Sequence, residues 1–125
     1  MSAVYDAGVL LAADRNDRAT WSDHRARLEL GMVPVTTAPV VAQVSRSSRQ
    51  VQLRRFLRGC SVEPLSADDS HEIGALLGRA GTSDVVDAHV ALTASRLSAP
   101  VITSDPRDLR RLSRELSPAP EVLIV

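Results

Sequence analysis

The chain has 125 residues, the size of one domain with a real core. Hydrophobic residues make up 44% and aromatics only 2%, so the core must be built from Ala, Val and Leu, and base stacking on a nucleic acid is poorly supplied. The 15 acidic residues are balanced by 15 basic ones, every one of them Arg, which argues against a bulk electrostatic DNA binder but leaves room for a local basic patch.

Tyr5, Trp21 and Phe56 are the only aromatics, and Cys60 is the only cysteine, so no intrachain disulfide can form. That suits a reducing cytoplasm. The start, MSAVYDAGVLLAADRND, has no basic n-region and carries acids early, unlike a signal peptide. No apolar run approaches the roughly 18 residues that a membrane helix needs. A soluble cytoplasmic protein with no membrane partner is expected.

In chain order, Val4–Tyr5 is a short apolar strand that ends on Asp6. Gly8 to Ala13 suits a helical turn. Asp17 to Leu30 reads as a helix with Asp17 as N-cap and Gly31 as its stop. Met32 to Thr37 reads as a strand, imperfect at Pro34. Ala38 to Gly59 is a long helical stretch with Pro39 in its first turn, and Ser45–Ser48 is a candidate break. Cys60 to Leu65 is a second strand. Ser66 starts a helix through Leu77, closed by Gly78 and Gly81. Ser83 caps the next helix, to about Leu97, with Val86, Val90 and Ala94 on one face. Pro100 to Ser104 is a strand ending on Asp105, Arg107 to Leu116 a helix, and Glu121–Val125 a closing strand. The alternation predicts a single α/β domain over residues 1–125, a parallel sheet sandwiched by helices.

Two strands thus end on acids, Asp6 and Asp105, and ligands of open α/β sheets bind beyond the carboxyl ends of strands. Asp84 and Asp87 supply a third source, three apart on one helix face. Carboxylates gathered at one site either take up protons or share a cation, and oxygen-only ligands suit Mg²⁺ or Mn²⁺. Such an ion can activate water for hydrolysis of a phosphate ester. Taken singly, Asp84 is also an ordinary helix N-terminal acid and Asp105 an ordinary helix cap. The combination is the more specific signal.

Other chemistries are poorly served. His24, His71 and His89 lack zinc-ligand spacing, and neither a Gly-rich phosphate loop nor a nucleophile elbow is present. A phosphatase-type Asp-x-Asp after the first strand is also missing. Arg46, Arg49, Arg54, Arg55 and Arg58 crowd the second half of the long helical stretch, as a solvated face or as contacts to phosphate or an acidic partner.

Four segments together resemble a PIN domain, most of all the VapC toxins of bacterial toxin–antitoxin pairs. They are Tyr5-Asp-Ala-Gly-Val-Leu-Leu, Thr36-Thr-Ala-Pro-Val-Val-Ala-Gln-Val, Ser83-Asp-Val-Val-Asp-Ala-His-Val-Ala-Leu-Thr-Ala and Val101-Ile-Thr-Ser-Asp-Pro-Arg-Asp-Leu. The resemblance spans essentially the whole chain. It implies Mg²⁺ or Mn²⁺ at an acid cluster, endonucleolytic cutting of RNA, a cognate antitoxin and a homodimer. By position it makes Asp6, Asp87 and Asp105 the catalytic and metal-binding acids, with Asp84, Asp108 and Ser104 in second-tier places. The departure is Gln43, where the pattern usually has Glu. Its amide brings no charge, so a catalytically weak domain that binds RNA or a partner without efficient cleavage is the competing reading. Gly8 stands where many relatives carry a small hydroxyl residue.

Overall fold

Short runs of Val, Ile and Thr form the strands, the residues that fit a pleated surface buried on both faces. In the computed structural model, which describes residues 2–125, these are β1 (Val4–Tyr5), β2 (Val35–Thr37), β3 (Ser61–Glu63), β4 (Val101–Thr103) and β5 (Val122–Ile124). They pair in parallel in the order β3-β2-β1-β4-β5, with Val4 opposite both Val35 and Val101 and Tyr5 opposite Ile102. β1, β2 and β4 are buried throughout, whereas the edge strands β3 and β5 are partly exposed. Met1 lies outside the described residues.

The helices are α1 (Ala7–Asp14), α2 (Arg18–Glu29), α3 (Ala38–Val44), α4 (Val51–Leu57), α5 (Ala67–Ala80), α6 (Val85–Leu97) and α7 (Arg107–Ser113). They form two groups, α1 to α4 and α5 to α7, each packed within itself, with α1 and α6 both lying against β1 and β4. The expected α/β architecture is therefore observed. From β1 the chain moves outward to β2 and β3, then returns to place β4 on the other side of β1. The strand order reverses between β1 and β4, which opens a crevice at their carboxyl ends.

The few aromatics are spent in one place. Tyr5, Trp21, His24 and Phe56 cluster, with His24 stacked on Phe56 at 3.8 Å between centroids and Trp21 edge-on to Phe56 at 5.1 Å. The Trp21 Nε1 donates to the Ala13 carbonyl at 3.0 Å, joining α2 to α1. On the other side, α6 is buried from Ala88 to Ser95 on every face, not only along Val86, Val90 and Ala94. Its small side chains let α5, α7 and the sheet close around it.

The stretch 38–59 is two helices, broken at the candidate serines, and Gln50 secures the break. Its Oε1 accepts the Arg46 and Ser47 N–H groups at 2.6 and 3.1 Å, and its Nε2 donates to the Val44 carbonyl at 2.8 Å. Asp84, not Ser83, is the N-cap of α6. Gly78 lies inside α5, and only Gly81, at φ 71°, ends it in the left-handed conformation that favours glycine.

One buried carboxylate ties α5 to α6. Asp69 closes a capping box with Ser66 and accepts Arg96 Nη1 at 2.6 Å. These partners hold its pKa down at about 2, from 3.8, the Ser66 N–H contributing most. A carboxylate with a lowered folded-state pKa stabilises fully above its unfolded value and loses that stabilisation as pH falls through the folded one. Stability should therefore fall between pH 3.8 and about 2 partly through Asp69. In Asp69→Asn, thermal melts followed by circular dichroism should show a lower Tm at neutral pH and a flatter decline over that window. An unchanged acid slope would remove Asp69 from the account.

Candidate metal centre

Asp6 leaves β1 at the crevice and stands at the N-cap position of α1, buried to 7% exposure. The Thr103 hydroxyl donates to its Oδ2 at 2.8 Å and accepts the Asp105 N–H at 3.0 Å. One fully buried side chain of β4 thus links the two strand-end acids. Thr103 was not among the residues singled out from the sequence. Its only signal was a hydroxyl two places before the strand-end Asp. Asp105 itself is exposed, and α7 begins after Pro106 without a side-chain cap, so Asp105 is not the helix cap it resembled. Ser104 is exposed, and its hydroxyl fills the space a Cβ on residue 8 would need. Gly8 is what allows the β4 end to approach the first turn of α1.

The third arm comes from α6. The Asp84 carboxylate accepts the Asp87 N–H at 3.0 Å, which fixes the first turn and sets Asp87 at its inner side. Asp87 is half-buried. Burial first, then the charges of Asp84, Asp6, Asp108 and Asp105, push its pKa up to about 7. The Asp6 pKa is also raised, by burial first and then by Asp84 and Asp105, against the lowering effect of the Ala7 N–H and the Thr103 hydroxyl. Five carboxylates from three separated segments therefore act on one another across the crevice. Asp108 is the most peripheral, with Arg111 at 3.9 Å.

No hydrogen bond or ion pair among the described residues joins the remaining candidates to the acids. Gln43 is exposed in the last turn of α3, and no hydrogen bond ties it to the acids. Nothing on α3 supplies a charge. Arg46 and Arg49 lie in the loop between α3 and α4, Arg54 and Arg55 on α4, and Arg58 just beyond it, all exposed. They do not form one helical face, because the helix breaks at Ser45. Cys60 is half-buried with its thiol pushed up to about 12 by burial, unsuited to nucleophilic work.

No three His, Cys, Asp or Glu side chains among the described residues already stand at metal-ligand spacing. What fits a divalent cation here is the chemistry of the donor set. All the donors are hard carboxylate oxygens, and burial together with four neighbouring acids pushes the Asp87 pKa up to about 7. A carboxyl whose folded pKa is raised costs stability as pH climbs from its unfolded value to its folded one. In EDTA, Asp87→Asn should accordingly melt higher than the parent at pH 8, with the difference closing toward pH 4. About 1 kcal/mol would show as roughly 4 °C in a domain of this size. A variant that melts lower at pH 8 would contradict this strain.

Comparison with known proteins agrees with this fold. A family model described as the PIN domain matches residues 3–115. Among solved structures, a chain in the crystal structure of VapBC2 from Rickettsia felis, bound to a DNA fragment from its promoter, superimposes with a TM-score of 0.72. The match covers 100% of this chain and 99% of that one at 16% identity, a likeness of fold. No curated protein sequence matches. With the family model covering all but the two ends of the chain, and the acids gathered where β1 and β4 part, this chain belongs to the PIN domain family.

Proposed function

We propose that this protein is a Mg²⁺- or Mn²⁺-dependent endoribonuclease, the VapC-type toxin of a toxin–antitoxin pair, with Asp6, Asp87 and Asp105 as its metal-binding and catalytic acids. The carrying observation is the convergence of carboxylates on the β1/β4 crevice, where burial first and then the neighbouring acids push the Asp87 pKa up to about 7. When bound, the cation would supply charge to the scissile phosphate and lower the pKa of a bound water. The chain's own residues do the rest. Thr103 orients Asp6 and, by donating to its Oδ2, offsets part of the rise that burial imposes on its pKa. Asp84 holds the α6 terminus, so Asp87 enters the crevice from a fixed turn. Asp87 must give up its proton to bind a cation, so Mn²⁺ binding near pH 7 should release protons.

The VapBC2 likeness supports a protein antitoxin as partner. Such a partner would neutralise the exposed carboxylates with a basic side chain, Arg above all for its bidentate geometry. No helix among the described residues is long and apolar enough to cross a membrane, in keeping with a cytoplasmic setting. A homodimer remains part of the proposal on the family resemblance.

A second reading is favoured by one observation, the absence of any acid on α3. In it the domain binds RNA or its partner and cuts poorly. Incubation with structured RNA and Mn²⁺ decides between them. Cleavage that EDTA stops, and that Asp87→Asn reduces by more than the roughly 100-fold typical of losing an outer-shell partner, supports the nuclease. Intact RNA under all these conditions rejects it. Gln43→Glu should raise cleavage markedly if a charge on α3 is what the site lacks. An unchanged rate would show that the crevice works without one.

A further inference from the structure

Charge in this molecule is locally uneven. The chain is neutral overall, yet five of its 15 acids act on one another at the β1/β4 crevice while a separate cavity of about 490 Å³ is lined by basic and no acidic groups. Arg18 and Arg25 of α2 and Arg55 of α4 line it together with Asn16, Gln52 and Trp21, and no carboxylate does. Among the described residues the arginine ion pairs are those of Arg96 and Arg111, so none of these three guanidinium groups is neutralised. Three like charges around one cavity repel, and an anion offsets that cost.

The cavity is also arranged to hold an anion. Trp21 is fixed by its bond to the Ala13 carbonyl, and the Arg55 guanidinium lies 5.9 Å from its ring centroid. A cation–π contact of this kind orients Arg55 before any ligand arrives. Asn16, Gln52 and Ser22 add amide and hydroxyl donors. Guanidinium forks with amide and hydroxyl donors are the groups that contact phosphate and sugar oxygens. An acidic peptide would draw on apolar anchors, and the only apolar side chain in this wall, Trp21, is already covered by Arg55.

Position completes the case. Asp6 precedes α1 and Asn16 follows it, and a helix of eight residues spans about 12 Å. A phosphate chain held at the acids is repelled there by every carboxylate that the cation leaves unneutralised, so footholds beyond the acid centre contribute most to its affinity. We propose that the Arg18–Arg25–Arg55 cavity binds backbone phosphates of single-stranded RNA, and that it holds the strand whose scissile bond lies at the acids. The second half of this statement rests on the nuclease reading. The first half does not, since binding at the cavity needs neither the acids nor a cation.

The test is fluorescence anisotropy of the full chain with a labelled single-stranded RNA of about 16 nucleotides, in EDTA, across a salt series. Arg18 and Arg25 are exposed on α2, so their replacement leaves the core intact, which circular dichroism melts verify. Arg18→Gln with Arg25→Gln should weaken binding roughly tenfold and lower the salt slope by about 1.4, at 0.7 per phosphate contact on a single strand. The charge-preserving Arg18→Lys with Arg25→Lys should retain the slope. An unchanged affinity and slope in the Gln pair overturns the cavity. So does a wild-type chain that binds no RNA, or one that binds poly-glutamate more tightly than RNA in an arginine-dependent way. Cleavage in Mn²⁺ is scored separately. Arginine-independent binding with normal cutting sinks the cavity and spares the nuclease, while arginine-dependent binding without cutting does the reverse.

Discussion

Carboxylates of like charge repel, and this molecule is built to hold five of them within reach of one another. The fold makes the concentration possible because β1 and β4 are neighbours with a reversal of strand order between them. Residues separated by nearly the whole chain, Asp6 and Asp105, leave the sheet at the same edge. The N-terminus of α6 then brings Asp84 and Asp87 to that edge. Burial first, and then the charges of their neighbours, raise the pKa values of Asp6 and Asp87.

Local devices hold the acids against that repulsion. Thr103 satisfies the most buried one with a hydroxyl instead of a positive charge, which offsets part of the rise in the Asp6 pKa. Asp84 spends its carboxylate on the α6 backbone and in doing so sets the angle of Asp87. Further back, α6 is enclosed on all sides, and Asp69 with Arg96 ties it to α5. The position of Asp87 is thus inherited from packing far from the crevice. Gly8 acts by absence, leaving room for the Ser104 hydroxyl against α1.

The sheet and the placement of Asp6, Asp87 and Asp105 were legible because strand-end acids and an Asp at helix spacing are local patterns. The break after Val44 was suggested by its serines, but its cause was not. Gln50 closes the turn through four bonds, to backbone groups of residues 44, 46 and 47 and to the Asp14 carboxylate, and a polar side chain's partners at that range leave no periodic trace. Thr103 was missed because a threonine in a strand is read as a β-former, and its bond to Asp6 crosses 97 residues of chain. Ser83 was preferred over Asp84 as the α6 cap because both are good caps one residue apart, and only the backbone geometry separates them. The burial of α6 all round escaped because alanines make a helix read as amphipathic when its neighbours are not known.

The arginines show most clearly what sequence proximity hides. Arg46, Arg49, Arg54, Arg55 and Arg58 look like one group, yet the break between α3 and α4 scatters them, and only Arg55 joins Arg18 and Arg25 across α2. A basic site made from two helices needs the aromatic cluster beneath it, because Trp21 and Phe56 are what bring α2 and α4 together. The scarce aromatics are therefore not stacking platforms for bases. They are the mortar that lets guanidinium groups from separate helices face one cavity, apart from the acids at the ends of β1 and β4. A neutral chain can in this way present both signs of charge at separate places, each built from residues distant in sequence.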